Sequence, residues 1–262
     1  MPLIKINGID MYYEEAGAGE PLLLIHGLGS STRDWELQVP FFSSRYRVIT
    51  IDLRGHGQTK DPGTPFSIRQ FADDTMRLLE TLDALPAHVV GLSLGGMVAF
   101  QIVVDHPDMV RSLTIVNSCP EMVIHKFNEW IEFWRRIVTI RMVGMQRLAT
   151  FLCGRLFPEP SQEEVRCEAV RRLAVNDKNA YIKTLRAISG WSVMDRLDRI
   201  TCPTLLLNGE MDFLPMPAKK ACASRITQSE MIMIDGSRHV TPVDQPEKFN
   251  TTLATFLSKQ RR

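Results

Sequence analysis

Short, wholly apolar runs limit what this chain can fold into more than any other feature. Pro21-Leu22-Leu23-Leu24-Ile25 and Val48-Ile49-Thr50-Ile51 show no polar alternation. Strands of that kind suit burial on both faces, as in a parallel sheet covered by helices on each side. Further strands read at Ala87 to Leu92, Ser112 to Asn117, Pro203 to Gly209 and Met231 to Ile234. Helical patterns lie between and after them. Ser67 to Leu85 places Ile68, Phe71, Met76, Leu79 and Leu82 near a helical period. Leu94 to Asp105 stops near His106-Pro107, and Pro246 to about Ser258 closes the chain. At the start, Leu3 to Ile6 and Ile9 to Glu14 flank Asn7-Gly8, a hairpin signal.

Strand and helix in alternation predict an α/β fold with a doubly wound, mostly parallel sheet. The alternation fails near residue 120. From Glu121 to Leu197 the sequence reads as several helices, broken near Pro158-Glu159-Pro160 and Asn176-Asp177. That stretch is too long for an ordinary connection. The expected organisation is a core of residues 1–119 and 198–262, with a helical insert at 120–197.

Charge and cysteine content narrow the function classes. Lys and Arg number 31 against 30 Asp and Glu. No basic field favours nucleic acid or an anionic membrane surface. The C-terminal Lys259-Gln260-Arg261-Arg262 reads as a solvated tail. Five cysteines, Cys119, Cys153, Cys167, Cys202 and Cys222, form no C-x-x-C pair or tight cluster. Neither a disulfide framework nor a cysteine metal site is expected, and reduced thiols in the cytoplasm are. The opening residues lack the charged start and apolar centre of a signal peptide. No apolar run reaches the ~20 residues needed to span a bilayer.

The strongest motif is Gly91-Leu92-Ser93-Leu94-Gly95-Gly96, a G-x-S-x-G pattern between an apolar strand and an apolar helix. A serine on that sharp turn has its hydroxyl lifted clear of the sheet. A close-packed or phosphate-binding helix entry is the rival reading. A serine hydroxyl is a weak nucleophile and needs a base, which a carboxylate must orient. Downstream histidines are His106, His125 and His239. His106 sits at a helix end and His125 at the start of the insert. His239 follows a strand ending near Ile234, on the loop edge where sites gather in open α/β sheets. Asp212 lies just past the strand ending at Asn208; Glu210 is its nearest rival, while Asp235 and Asp244 sit too close to His239 in the chain. The place after the Ser112–Asn117 strand holds Asn117 and Ser118 and no carboxylate. Ser93, Asp212 and His239 are therefore the candidate catalytic residues. An oxyanion formed on attack needs backbone donors. Leu94, after the serine, supplies one. Leu28, in His26-Gly27-Leu28-Gly29, is the candidate for the other, with His26 read as a structural hydrogen-bonding residue.

With these residues in view, the chain resembles an α/β-hydrolase-fold serine hydrolase of the esterase and 3-oxoadipate enol-lactonase type. The matching pieces are Leu24-Ile25-His26-Gly27-Leu28-Gly29, Asp52-Leu53-Arg54-Gly55-His56-Gly57, the turn at Ser93, Gly209-Glu210-Met211-Asp212 and the loop at His239. The resemblance implies an enzyme without cofactor or metal, a helical cap at about 120–197, and an architectural role for Asp52 to Gly57. It also implies a small-molecule ester or lactone substrate, with thioesters, perhydrolysis and carbon–carbon bonds as alternatives on the same residues. Serine in the elbow disfavours the aspartate-nucleophile dehalogenases and epoxide hydrolases. A lyase using the serine–histidine pair and a non-catalytic ligand receptor are further readings. Two positions depart from the family pattern: Arg238, where relatives carry a small residue, and Asp244 in Asp244-Gln245-Pro246, where Glu is frequent.

The insert carries the substrate question. From Glu121 to Ile200 there are 14 Lys or Arg against 10 Asp or Glu. Arg135, Arg136, Arg141, Arg147 and Arg155 fall in a stretch without any acid. An anionic substrate and a solvated helix face both fit that pattern. Trp130, Trp134 and Ile137 follow helical spacing, which suits a pocket floor or ordinary packing.

Overall fold

The computed structural model describes residues 2–123, 127–214 and 216–260. Met1, His125, Arg261 and Arg262 lie outside them. The strands are β1 (Leu3–Ile6), β2 (Ile9–Ala16), β3 (Pro21–Ile25), β4 (Arg47–Ile51), β5 (Ala87–Leu92), β6 (Val110–Val116), β7 (Thr204–Gly209) and β8 (Ser229–Ile234). The helices are α1 (Val39–Phe42), α2 (Ile68–Thr81), α3 (Leu94–Asp105), α4 (Phe127–Leu156), α5 (Glu163–Ala174), α6 (Lys178–Ile188), α7 (Met216–Ala223), α8 (Thr241–Asp244) and α9 (Pro246–Ser258). One sheet runs β1-β2-β4-β3-β5-β6-β7-β8. The β1–β2 and β2–β4 pairs are antiparallel, and every other pair is parallel.

The apolar runs behave as double-sided burial requires. In β3, Leu23 and Ile25 join a core with Phe71 and Leu78 of α2 and Val98 and Ile102 of α3. Leu22 and Leu24 point the other way, into a core with Trp35 and with Phe249, Leu253 and Phe256 of α9. Each fully buried large apolar side chain contributes about 1.5–3 kcal/mol, so removing either helix layer would expose far more than the fold can lose. Register brings Ile25, Ile51, Gly91, Val116, Leu207 and Ile234 to one edge of the sheet or next to it. The loops leaving that edge build the site.

Between β6 and β7, α4 to α6 form their own core from Ile137, Ile140, Leu148, Leu173, Tyr181 and Leu185, among others. The first of these helices is interrupted at Gly144, whose φ of +76° is left-handed. Breaks at 158–162 and at Asn176-Asp177 fall where proline and the capping Asp177 predicted them. Among the described residues, the sole strand-like pairing there is one bridge, Glu121 with Ser192. No described helix is long and apolar enough to cross a membrane.

Two loop segments after β3 and β4 lock together beneath the site. Asp52 accepts from the amides of Thr32 at 2.7 Å and Gln58 at 2.7 Å. Burial pushes its carboxyl up to about 6. Arg54 and Asp74 pair at 2.8 Å, both buried. His26 is fully buried and accepts from the Leu53 amide through Nε2 at 3.0 Å, which leaves the proton on Nδ1 to reach the Gly27 carbonyl. Burial, then the neighbouring His56, lowers His26 to about 3; burial lowers His56 to about 4.

Both histidines thus stay neutral when folded but protonate near 6.5 when unfolded. Their contribution to stability is complete above that pH and is lost as pH falls toward 4. His56→Asn is expected to reduce the acid-induced loss of stability between pH 7.5 and 4.5 by about 2 kcal/mol. Urea unfolding of both proteins at the two pH values measures it.

Candidate active site

Ser93 sits between β5 and α3 with φ +53° and ψ −111°. A non-glycine residue there is strained, and the surroundings must hold it. They do so through close backbone contact. A Cβ at Gly91 would lie 2.2 Å from the Gly95 carbonyl oxygen, and one at Gly95 would lie 2.2 Å from that of Ile25. Only glycine permits this crossing of strand and helix. The Ser93 amide donates to Val116, and Ser118 Oγ donates to the Ser93 carbonyl at 2.6 Å.

The three side chains picked from sequence come together. Ser93 Oγ lies 2.9 Å from His239 Nε2, and His239 Nδ1 lies 2.6 Å from Asp212 Oδ1. An ionised Asp212 can only accept, so Nδ1 carries the proton and Nε2 faces the serine as acceptor. Burial alone would raise Asp212, but the hydrogen bond and charge of His239, followed by those of Lys219, outweigh it and hold the carboxyl below its usual range. The Phe213 ring covers His239 at 4.1 Å between centroids.

The histidine loop is pinned from below by a residue that the sequence marked only as lacking a carboxylate. Asn117, buried at the end of β6, donates to the carbonyls of Arg238 at 3.1 Å and His239 at 2.8 Å and to Thr241 Oγ1 at 2.7 Å. Its oxygen accepts from the Gly209 amide at 2.8 Å. One amide therefore ties the ends of β6 and β7 to the loop bearing His239. Asp244 adds a second tie, accepting from Ser237 Oγ at 2.8 Å and the Arg238 amide at 2.6 Å. The shorter acid at this departure from the family pattern thus still reaches the loop. Glu210, the rival to Asp212, instead accepts from the Gly236 amide at 3.0 Å. His106 caps the end of α3, away from Ser93.

Leu28 and Leu94 line the same cavity as Ser93 and His239. The Gly27 amide is taken by Asp34 Oδ2 at 3.1 Å. Among the described residues, the amide of Leu28 meets no protein acceptor, nor does that of Leu94 in the open first turn of α3.

The cavity spans about 1540 Å³ between the sheet edge and α4 to α6. Leu28, Met97, Phe133, Ile140, Tyr181 and Phe213 supply much of its apolar wall. Trp130, Trp134 and Ile137 do not floor it. Ile137 is buried in the core of the insert, Trp134 packs against that core, and Trp130 is half exposed. The neighbouring face of α4, with Phe133, Arg136 and Ile140, meets the cavity instead. Of the basic stretch, Arg135, Arg136 and Arg155 reach the cavity wall, while Arg141 and Arg147 are exposed elsewhere. Arg238 also lines it, 3.8 Å from Glu159.

Comparison with known proteins agrees with this architecture. The sequence model of the alpha/beta hydrolase fold family matches residues 20–149. The chain is 27% identical to (E)-2-((N-methylformamido)methylene)succinate hydrolase of Acinetobacter baylyi, over 96% of this chain and 95% of that protein. It is 26% identical to 3-oxoadipate enol-lactonase 2 of the same organism, over 91% and 88%. The crystal structure of the enol-lactonase from Burkholderia xenovorans LB400 superposes with a TM-score of 0.89 at 25% identity, covering 98% of this chain and 100% of that one. A mostly parallel sheet with its loops gathered at one edge, matched along nearly the whole chain, gives this protein the α/β-hydrolase fold, and it is a hydrolase of ester-type bonds similar to proteins of the enol-lactonase kind.

Proposed function

We propose that this hydrolase cleaves a carboxylic ester or lactone of a small molecule through an acyl-enzyme on Ser93. The observation that carries the reading is the unbroken hydrogen-bond chain from Ser93 Oγ through His239 to the buried Asp212, opening on the cavity. Ser93 Oγ attacks the acyl carbon while His239 Nε2 takes its proton. Asp212 holds the imidazole in the required tautomer and stabilises the imidazolium. The amides of Leu28 and Leu94 receive the oxyanion, each worth roughly 3 kcal/mol of barrier. Collapse expels the alcohol, protonated by His239. Water then repeats the sequence and frees the acid. Residues 120–197 act as a cap that selects the acyl group, and the reaction needs no cofactor. The five free thiols, four of them buried, suit the cytoplasm.

The substrate is anionic in this reading. Among the described residues, six arginines line the cavity, Arg155 and Arg238 among them, against the four acids Asp34, Glu36, Glu164 and Glu168. The two A. baylyi relatives are named for a succinate and for an oxoadipate enol-lactone. A panel of matched neutral and carboxylate-bearing p-nitrophenyl esters tests this. The acidic ester is expected to show at least a tenfold higher kcat/KM, reduced by Arg155→Ala or Arg238→Ala. Equal efficiency on both esters, unchanged in the variants, would sink the anionic reading and leave the ester reading standing.

A further inference from the structure

One buried charge takes no part in those steps. Lys219 lies on α7, and its ammonium donates to Asp212 Oδ2 while Asp212 Oδ1 faces His239. The two side chains are only 2% and 1% exposed. A buried ammonium persists only when paired, and this one is paired with the carboxylate that orients the histidine. In sequence, Met216-Pro217-Ala218-Lys219-Lys220 gives no hint of burial.

We propose that Lys219 is a positioning residue: it grips the second oxygen of Asp212, fixes the carboxylate's rotation toward His239, and extends activity to lower pH. This rests on the Ser93 reading above. The argument is one of charge. With an unpaired aspartate, protonating the histidine produces a neutral pair. With Lys219 present, the same protonation leaves a net positive charge in a site shielded from water. The base is therefore lost to protonation only at lower pH. Holding Asp212 by both oxygens also removes the rotational freedom a singly bonded carboxylate would have.

Other ionisable groups stand around the site, and Asp244 interacts with the histidine itself. Arg238 and Asp244 belong to its own loop and the helix after it, and the charge of His239 reaches Asp244. Asp34 lies under the Gly27 amide, where burial raises its carboxyl. Cys119 lies behind Asp212 and Lys219, its thiol bonded to the Glu121 carbonyl and raised by burial. Glu210 is engaged by the Gly236 amide. All remain in place when Lys219 alone is changed.

The test is the rate of Ser93 labelling by a fluorophosphonate probe from pH 4.5 to 9, which needs no knowledge of the substrate. In Lys219→Met the acid limb of the profile is expected to move up by about one pH unit. Lys219→Arg keeps the charge and should keep the wild-type limb. A uniform fall in rate with coincident limbs would overturn the proposal and leave Lys219 a merely structural ion pair. Should Lys219→Met fail to fold by circular dichroism, Lys219→Gln read against Lys219→Arg gives the same comparison, with coincident limbs again contrary. Wild-type protein that does not label, or Ser93→Ala that does, would strike the Ser93 reading instead.

Discussion

Ser93→Ala is expected to lower ester hydrolysis about 10⁶-fold, to the residual rate that the oxyanion donors and binding supply alone. Among the described residues the hydroxyl hydrogen-bonds to His239 alone, so its loss leaves the strained turn and its glycine packing intact. Folding should change little, because the elbow is held by the Ser93 amide donating to the Val116 carbonyl and by Ser118 Oγ donating to the Ser93 carbonyl, neither of which uses the Ser93 hydroxyl. His239→Ala should cost about as much, and the double variant no more than either. Residues that act as one unit fail together rather than additively. Steady-state kcat/KM on a p-nitrophenyl ester measures all three; independent, multiplying losses would contradict a shared role.

Asp212→Asn is expected to lower kcat about 10⁴-fold and to destabilise the fold as well. The second effect is particular to this protein. Asp212 faces two donors, His239 Nδ1–H and the Lys219 ammonium. An amide has one accepting and one donating end, so either orientation sets donor against donor. If its NH2 faces His239, the imidazole must change tautomer and present Nε2–H to Ser93, and the base is lost. If it faces Lys219, donor meets donor there instead; in either orientation the buried ammonium loses its counter-charge, which costs about 3–5 kcal/mol. Thermal unfolding beside kcat separates the two results. A variant as stable as wild type with full activity would show that Asp212 serves neither neighbour.

The parts legible in the sequence are those whose chemical demands are local. A strand buried on both faces must be largely apolar, which made Pro21–Ile25 and Ala87–Leu92 readable to the residue. The elbow declares itself because only glycine tolerates the backbone contacts at Gly91 and Gly95. Ser93, Asp212 and His239 each follow a strand, and the structure brings them within hydrogen-bond reach. Other features depend on partners far away in the chain. Asn117 shows its use only when β6 lies beside β7 and beneath the histidine loop, more than 120 residues away. Lys219 reads as an exposed lysine until α7 folds back onto Asp212. The short helices α1, α7 and α8 have too few turns for a periodic signal. The Trp130, Trp134, Ile137 stripe has the right period, but period alone does not say which side of a helix meets a cavity and which meets its neighbours.

The central claim is that Ser93 carries the acyl group, and acid-quenched mass spectrometry during the first turnover of p-nitrophenyl butyrate tests it most directly. The account predicts a burst of one p-nitrophenol per chain, with a butyryl adduct on the peptide containing Ser93 and none in Ser93→Ala. A full burst with the adduct on another residue, or an undiminished burst in Ser93→Ala, would contradict it.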